Sequence, residues 1–564
     1  MLTLFRDLAE LCERLESTKK RRTMIDWVAS FIQQLQPGEV QPATSMLMGR
    51  AFPVRDQRVL EVSWTTISTV VQRIANVDDE QFSRAFGITG DAGDATKTVF
   101  EEGKIRRQAT LFQKQLTILE VGRAFETIAE TTGTGSRERK ERLLETLLSS
   151  ATPLEAKYLV KVLISGMRTG FYEGLMELAV AQAFRIQLSD VQTASMLTGD
   201  IGEIATLLKS EGAESLATLS FKVFRPVKPM MAQMAETVAE ALEEHDGETA
   251  LEHKLDGARI QIHKSGDTVK IFSRRLTDVT ESLPEIVEQV KSEVKAVEAI
   301  LEGEVIAVGK NGSPMPFQHL MRRFRRVHKI ELTAEEVPIQ LYLFDALYID
   351  GKSLIKEAYI QRREKLIRVA GSIPLTKQAV TKSVEAAEDF LQGAMKAGHE
   401  GVVAKRLDSP YAPGSRGKRW FKIKSILDPL DLVIVAAEYG YGRRHGWLSD
   451  YYLAARDAES GELFTVGKTF KGLTDAEITL MTQRLKQSTI RAEGHRVSVT
   501  PRIVVEVAYN EIQKSPKYKS GMALRFARIM RIRDDKSPDE VDTIQRVRDI
   551  YERQFGKKAI YKKV

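Results

Sequence analysis

Apolar residues recur at helical spacing through roughly the first 222 positions. Leu147, Leu148, Leu154, Tyr158, Leu159, Val162 and Leu163 are one such run, and alternating β-branched stretches are scarce. Residues 1–225 therefore read as an all-α unit. Its first helix, Met1 to Cys12, carries Arg6, Asp7 and Glu10 and is amphipathic rather than a signal peptide. Two glycine-rich breaks echo each other, Gly90-Asp91-Ala92-Gly93 and Gly199-Asp200-Ile201-Gly202. Backbone N–H groups at such helix starts suit phosphate oxygens, although two unrelated helix caps explain the pattern equally well.

Pro226 and Pro229 force an extended path, so 226–233 reads as a linker, with a helix from Ala232 to Glu244 after it. From Thr249 the period changes to two. Ala258, Ile260 and Ile262 alternate with Arg259, Gln261 and His263, Ser265-Gly266-Asp267 supplies a turn, and Val269 and Ile271 resume in a hairpin partner. A helix with Leu283, Ile286, Val287, Val290, Val294 and Val297 on one face follows, and the α+β pattern covers 234–427. Beyond Asp428-Pro429 come short strands at Leu432–Ala437, Tyr451–Ala454, Leu463–Val466 and Ile503–Val507, with a helix at Asp475–Leu485. That set, over 428–540, suits an OB-fold β-barrel. Residues 541–564 read as a charged helix and basic tail.

Composition changes this picture little. The chain has 564 residues, 43% hydrophobic and 29% charged, which fits a multidomain globular protein. No apolar run reaches membrane-spanning length, so a cytoplasmic protein is expected. One cysteine, Cys12, excludes a disulfide framework and a cysteine-rich zinc site. A net charge of +7 is compatible with a polyanionic partner.

The chemistry concentrates at Glu252-His253-Lys254-Leu255-Asp256-Gly257-Ala258-Arg259, in the order K-x-D-G-x-R. A lysine ordinarily titrates near ~10.4 and needs a free lone pair to attack phosphorus. A neighbouring cation such as Arg259, or a metal, is expected to lower that value. Further on, Lys422 and Lys424 lie two apart on a strand and share a face, so both can aim at one phosphate. Arg322, Arg323, Arg325 and Arg326 flank Phe324, which reads either as a solvated basic face or as a contact with a nucleic-acid backbone.

With Phe272-Ser273-Arg274-Arg275, Leu301-Glu302-Gly303-Glu304, Leu343-Phe344-Asp345, Glu400-Gly401-Val402-Val403-Ala404-Lys405, Trp420-Phe421-Lys422-Ile423-Lys424 and Leu524 to Lys536 following in order, the chain resembles the archaeal type of ATP-dependent DNA ligase. The resemblance spans essentially the whole chain and implies a helical DNA-binding domain, an adenylation domain and an OB domain closing on nicked duplex DNA. It implies a covalent lysyl-AMP on Lys254, with Glu252 contacting adenine and Phe344 stacking on it. Arg259, Arg274 and Glu304 would surround the ribose and phosphate, Arg416 would be a further nucleotide contact, and Glu304 and Glu400 would position Mg²⁺. Arg525, Arg528, Arg531 and Lys536 would orient the β- and γ-phosphates of ATP. Gln108-Ala109-Thr110-Leu111-Phe112 resembles a short sliding-clamp motif, and the enzyme is expected to be a monomer. Ala527 stands where many relatives have proline, and Trp447 and Asp450 are unusual. RNA ligases and mRNA capping enzymes share K-x-D-G, but the large helical segment opposes them. A catalytically silent DNA-binding scaffold is the rival of another class. An NAD-dependent ligase lacks support because its cysteine zinc site is missing.

Overall fold

The computed structural model describes residues 2–54, 56–103, 115–219, 221–309, 312–315, 317–324, 337–414, 416–424 and 428–555. Gln108 to Phe112 and Arg325-Arg326 lie outside the described residues. From Phe5–Glu16 to Ile201–Glu211 the chain is helical, around one core in which Phe5, Leu8, Val70, Phe125, Tyr158, Leu159 and Ile204 are buried. Lys157 and Lys161 are also buried there. They remain tolerable because Glu13, Glu16 and Asp94 surround them, with Lys157 Nζ 2.7 Å from Glu13 and 2.8 Å from Asp94. The two glycine breaks are helix N-caps. Asp91 accepts from the N–H groups of Gly93 and Asp94, and Asp200 from those of Gly202 and Glu203. The expectation that those donors stand open to phosphates is therefore corrected, because the caps already use them.

Two five-stranded sheets make the central α+β part. One runs β1 (Met231–Met234), β10 (Arg416–Lys424), β9 (Gly401–Lys405), β2 (Thr249–Lys254), β8 (Gln378–Thr381). The other runs β4 (Thr268–Ser273), β3 (Ala258–Ser265), β5 (Glu298–Ala307), β6 (Ile339–Ile349), β7 (Lys352–Ser353). The end of the expected linker is thus a strand, β1, parallel to β10, and the helix after it starts only at Val238. Residues before Val238 find a ladder partner in β10, which sequence periodicity gives no means of seeing. The polar face of β3 is buried under the linker. Gln261 exchanges hydrogen bonds with the Val227 backbone at 2.8 and 3.1 Å, and His263 Nδ1 accepts from Phe224 N–H at 3.0 Å.

After Asp428 a seven-stranded sheet has β11 (Leu430–Tyr439), β12 (Leu448–Arg456) and β13 (Leu463–Thr469) as its first strands. Strands Thr489–Glu493 and Arg496–Val499 extend it on the far side of β11, which also pairs with Val504–Ala508, itself paired with Arg528–Ile532. Glu511–Lys514 and Met522–Arg525 form a separate hairpin. The last helix, Ile544–Phe555, is not a loose tail: Ile544, Val547 and Ile550 are buried in this part's core.

Candidate active site

Lys254 ends β2, and the chain then crosses from one central sheet to the other through Asp256-Gly257. Glycine is required at that crossing. A Cβ on Gly257 would lie 2.3 Å from the Val305 carbonyl and 3.0 Å from Glu304 Cγ. The motif's D-G is therefore the fold's way of setting the lysine against the Glu304 strand.

Across β2 and β10, Lys254 and Lys424 both face Gly401 of β9. Gly401 has φ +144°, and a Cβ there would meet the Ile423 carbonyl at 2.2 Å. Two lysines thus flank a position that carries no side chain. Glu400, beside it, bridges them: it accepts from Lys254 Nζ and lies 2.7 Å from Lys424 Nζ. The Glu400 backbone N–H also donates to the Lys254 carbonyl at 3.0 Å.

These contacts set the proton balance. Burial alone would lower the Lys254 ammonium, but Glu400, Glu304 and Asp256 outweigh it and hold it above its ordinary value. Glu400 shows the complement. Burial would raise its carboxyl, yet Lys254 and Lys424 pull it down to about 2. Glu304 is pushed up to about 7 by burial, against the opposing pull of Lys254 and Arg259.

The expectation that Arg259 depresses the lysine is overturned. Its guanidinium points the other way, 2.6 Å from Glu302, 2.7 Å from the Met230 carbonyl and 3.2 Å from the Tyr411 hydroxyl. Arg259 is fixed there by Glu302, a buried carboxylate one strand across. The guanidinium also lies 5.3 Å from the Phe344 ring, and Lys405 Nζ is 4.8 Å from the same ring.

Glu252 is 2% exposed. Its carboxylate accepts from Tyr359 and Thr376, and Lys405 Nζ lies 2.8 Å away. Instead of projecting into open space, it is held inside a network that the sequence reading missed. Behind it, Arg362 clasps Asp345 with two contacts of 2.8 and 2.9 Å, both side chains fully buried. Nothing in Tyr359-Ile360-Gln361-Arg362-Arg363 distinguishes these arginines from a solvated helix face; only their fixed distance from the motif strands could have raised suspicion.

Arg274 is exposed on the rim, with Nη2 3.5 Å from Met231 Sδ. Lys422 is half-buried on β10, opposite Val403. Arg416 begins β10, and its side chain lies outside what is described. The cations near the C-terminus are not gathered at Lys254. Lys536 is 2.6 Å from Asp431, Arg531 pairs with Glu506, and Arg525 pairs with Glu511 while stacking 5.2 Å over Phe317. The unusual Asp450 has a structural partner, Lys468, at 2.8 Å.

Comparison with known proteins bears on the whole length. Residues 4–181 match the model of the DNA ligase N terminus, 229–424 that of the ATP dependent DNA ligase domain, and 444–536 that of the ATP dependent DNA ligase C terminal region. DNA ligase 1 of Korarchaeum cryptofilum is 48% identical over 98% of this chain and 99% of its own. The chain belongs to the ATP-dependent DNA ligases. The DNA ligase of Thermococcus fumicolans is 43% identical over the same shares. Among solved structures, the chain named Pmar-Lig_Pre superposes with a TM-score of 0.59 at 17% identity, over 93% of the ligase and 99% of that chain, a likeness of fold. No helix among the described residues of the ligase is long and apolar enough to cross a membrane.

Proposed function

We propose that this ligase seals nicks in duplex DNA through AMP carried on Lys254. What carries the reading is the pair Lys254 and Lys424 flanking Gly401, bridged by Glu400. The Lys254 amine attacks the α-phosphorus of ATP, a P–N bond forms, and the bond to pyrophosphate breaks. The AMP then passes to the 5′-phosphate of the nick, freeing the lysine. The 3′-hydroxyl attacks that phosphate, a phosphodiester bond forms, and AMP leaves.

Lys254 must lose a proton first, and Glu400 is the group that holds it protonated. Lys424 and Lys422, two apart on β10, offset charge at the α-phosphate. Glu304 and Glu400 are hard oxygen donors, and among the described residues no three His, Cys, Asp or Glu gather into a closed cage. Two carboxylates with nucleotide oxygens form a set that Mg²⁺ accepts, and the ion would neutralise phosphate charge there. Phe344, Arg259, Arg274 and Arg416 complete the nucleotide site, with Glu252 behind the base.

We assign DNA binding to 1–225, adenylation to 234–427 after the 226–233 linker, and an OB role to 428–540 followed by 541–564, in a cytoplasmic monomer. Gln108 to Phe112 is assigned to a sliding clamp, with loss of clamp binding in a Leu111→Ala, Phe112→Ala variant as its test. For the core reading, Lys254→Ala abolishes covalent AMP, read by intact mass, and leaves nicked-DNA affinity unchanged. A variant that still gains AMP would overturn it.

A further inference from the structure

We propose that Gln378 reads the 6-position of the nucleotide base, its amide aimed by a one-way chain of hydrogen bonds through Tyr359 to Glu252. The inference rests on AMP lying along the Lys254 face of β2.

Gln378 stands directly opposite Glu252 in the β2–β8 ladder, and Val403 stands opposite it on the other side. Glu252 precedes Lys254 by two residues, so Gln378, Glu252, Val403 and Lys254 project from one face. A base tethered to Lys254 through its ribose and phosphate has Val403 as apolar surface and needs a polar group to identify it.

Glu252 has little acceptor capacity to spare for that task. It is 2% exposed, with Oε1 taken by the Tyr359 hydroxyl and Oε2 by the Thr376 hydroxyl at 3.0 Å and Lys405 at 2.8 Å. Gln378 is half-buried, and its Nε2 lies 2.5 Å from the Tyr359 oxygen.

The direction of each bond follows from proton counting. A tyrosine hydroxyl has one proton, and a carboxylate acceptor makes a bond roughly twice as strong as a neutral amide oxygen does. Tyr359 therefore donates to Glu252, and its oxygen is left to accept. Only the NH₂ end of Gln378 can satisfy it. The amide cannot turn over without setting two acceptors face to face, so Oε1 points away from the network, and no group among the described residues pairs with it.

A fixed, half-buried acceptor beside the base takes a hydrogen bond from the amino group of a 6-aminopurine. It meets the carbonyl of a 6-oxopurine lone pair to lone pair. Gln378 is thus a specificity-determining residue and Tyr359 the positioning residue behind it.

The test compares ATP with inosine triphosphate, which differs from ATP in carrying a 6-oxo group and lacks the extra amine of GTP. Nucleotidylation of the full-length enzyme is followed by intact mass across nucleotide concentration. The wild type favours ATP. In Gln378→Leu, which keeps comparable side-chain bulk on the edge strand but removes the amide, the preference falls about ten- to a hundredfold, through KM for ATP more than kcat. Tyr359→Phe shows a similar fall, because the amide is then free to turn. A wild type without preference, or an unchanged ratio in Gln378→Leu, overturns the proposal. A wild type that gains no AMP on Lys254 overturns the underlying reading instead.

Discussion

His445 Nε2 lies 2.7 Å from the carbonyl oxygen of Gly87 and joins the C-terminal sheet region to the helical one across 358 residues of sequence. Around it the Gly442 N–H donates to the Gly90 carbonyl at 3.2 Å, Arg168 reaches the same oxygen at 3.2 Å, and the Tyr441 and Phe86 rings lie 6.0 Å apart. The loop is braced from its own side by Arg444, which donates to the Phe470 carbonyl at 2.7 Å. One patch of polar contacts and one ring pair thus hold the two ends of the chain together.

Loosening that patch opens the molecule without touching its chemistry. A Cβ on Gly90 would sit 2.5 Å from the His445 ring. Gly90→Ala and His445→Ala are each expected to raise the radius of gyration of the DNA-free enzyme in X-ray scattering, with AMP loading from ATP unchanged. Scattering curves that superpose on the wild type would show that other contacts hold the ends.

Arg528 and Lys536 are expected to separate the chemical steps. Only ATP carries β- and γ-phosphates, so cations that grip them serve lysine adenylylation and not strand closure. Arg528→Ala and Lys536→Ala should each slow AMP loading by roughly 30- to 1,000-fold, about 2–4 kcal/mol, and spare sealing of a nick already bearing 5′-AMP. Lys536 is paired with Asp431 here, so the motif must release that carboxylate to reach a nucleotide. Equal losses in both assays would assign these residues to DNA binding or to the C-terminal fold.

His263 gives the enzyme an acid limb. Burial lowers its imidazole to about 3, because the ring is fully enclosed and its Nδ1 is used as an acceptor by the Phe224 N–H. Unfolded, it titrates near ~6.5. Between those values the unfolded chain binds a proton that the folded one does not. Stability is therefore lost as pH falls from about 6.5 towards 3, by at most about 1.4 kcal/mol per pH unit. His263→Asn, which keeps an acceptor, should flatten the fall of the urea midpoint between pH 6.5 and 4.5. An equally steep fall would place the acid sensitivity elsewhere.

Removing Arg362 should cost about 3–5 kcal/mol, since Asp345 and the Glu357 and Ser409 carbonyls would be left buried without their donor. Arg362→Met combined with Asp345→Leu should recover much of the loss. Thermal melting decides it, and a double variant as unstable as Arg362→Met alone would refute the pairing argument.

What was legible in the sequence was whatever has a period or a fixed order. The hairpin around Gly266, the helical first part and the lysines two apart on β10 all emerge as expected. Contacts between distant segments were not legible. Arg259 looks like a cation beside Lys254 until β5 brings Glu302 to it, and the strand β1 looks like linker until β10 supplies its partner. Thr489–Glu493 is exposed throughout, so the short alternation of Ile490 and Ala492 with Thr489, Arg491 and Glu493 marks no buried face, and its pairing with Arg496–Val499 was not among the expected strands. Gln378 lies in an unremarkable polar stretch and gains meaning only from its place opposite Glu252.

The order of strands has a consequence for synthesis. Neither neighbour of β2 in its sheet follows it closely in the chain, and Glu400 lies 146 residues beyond Lys254. At translation rates of about 5–20 residues per second, roughly 7 to 30 seconds separate the lysine from Glu400. During that interval the ribosome displays the amine without the pocket. A nascent chain therefore presents no finished nucleotide pocket until Gly401 and Lys424 have joined the sheet beside Lys254.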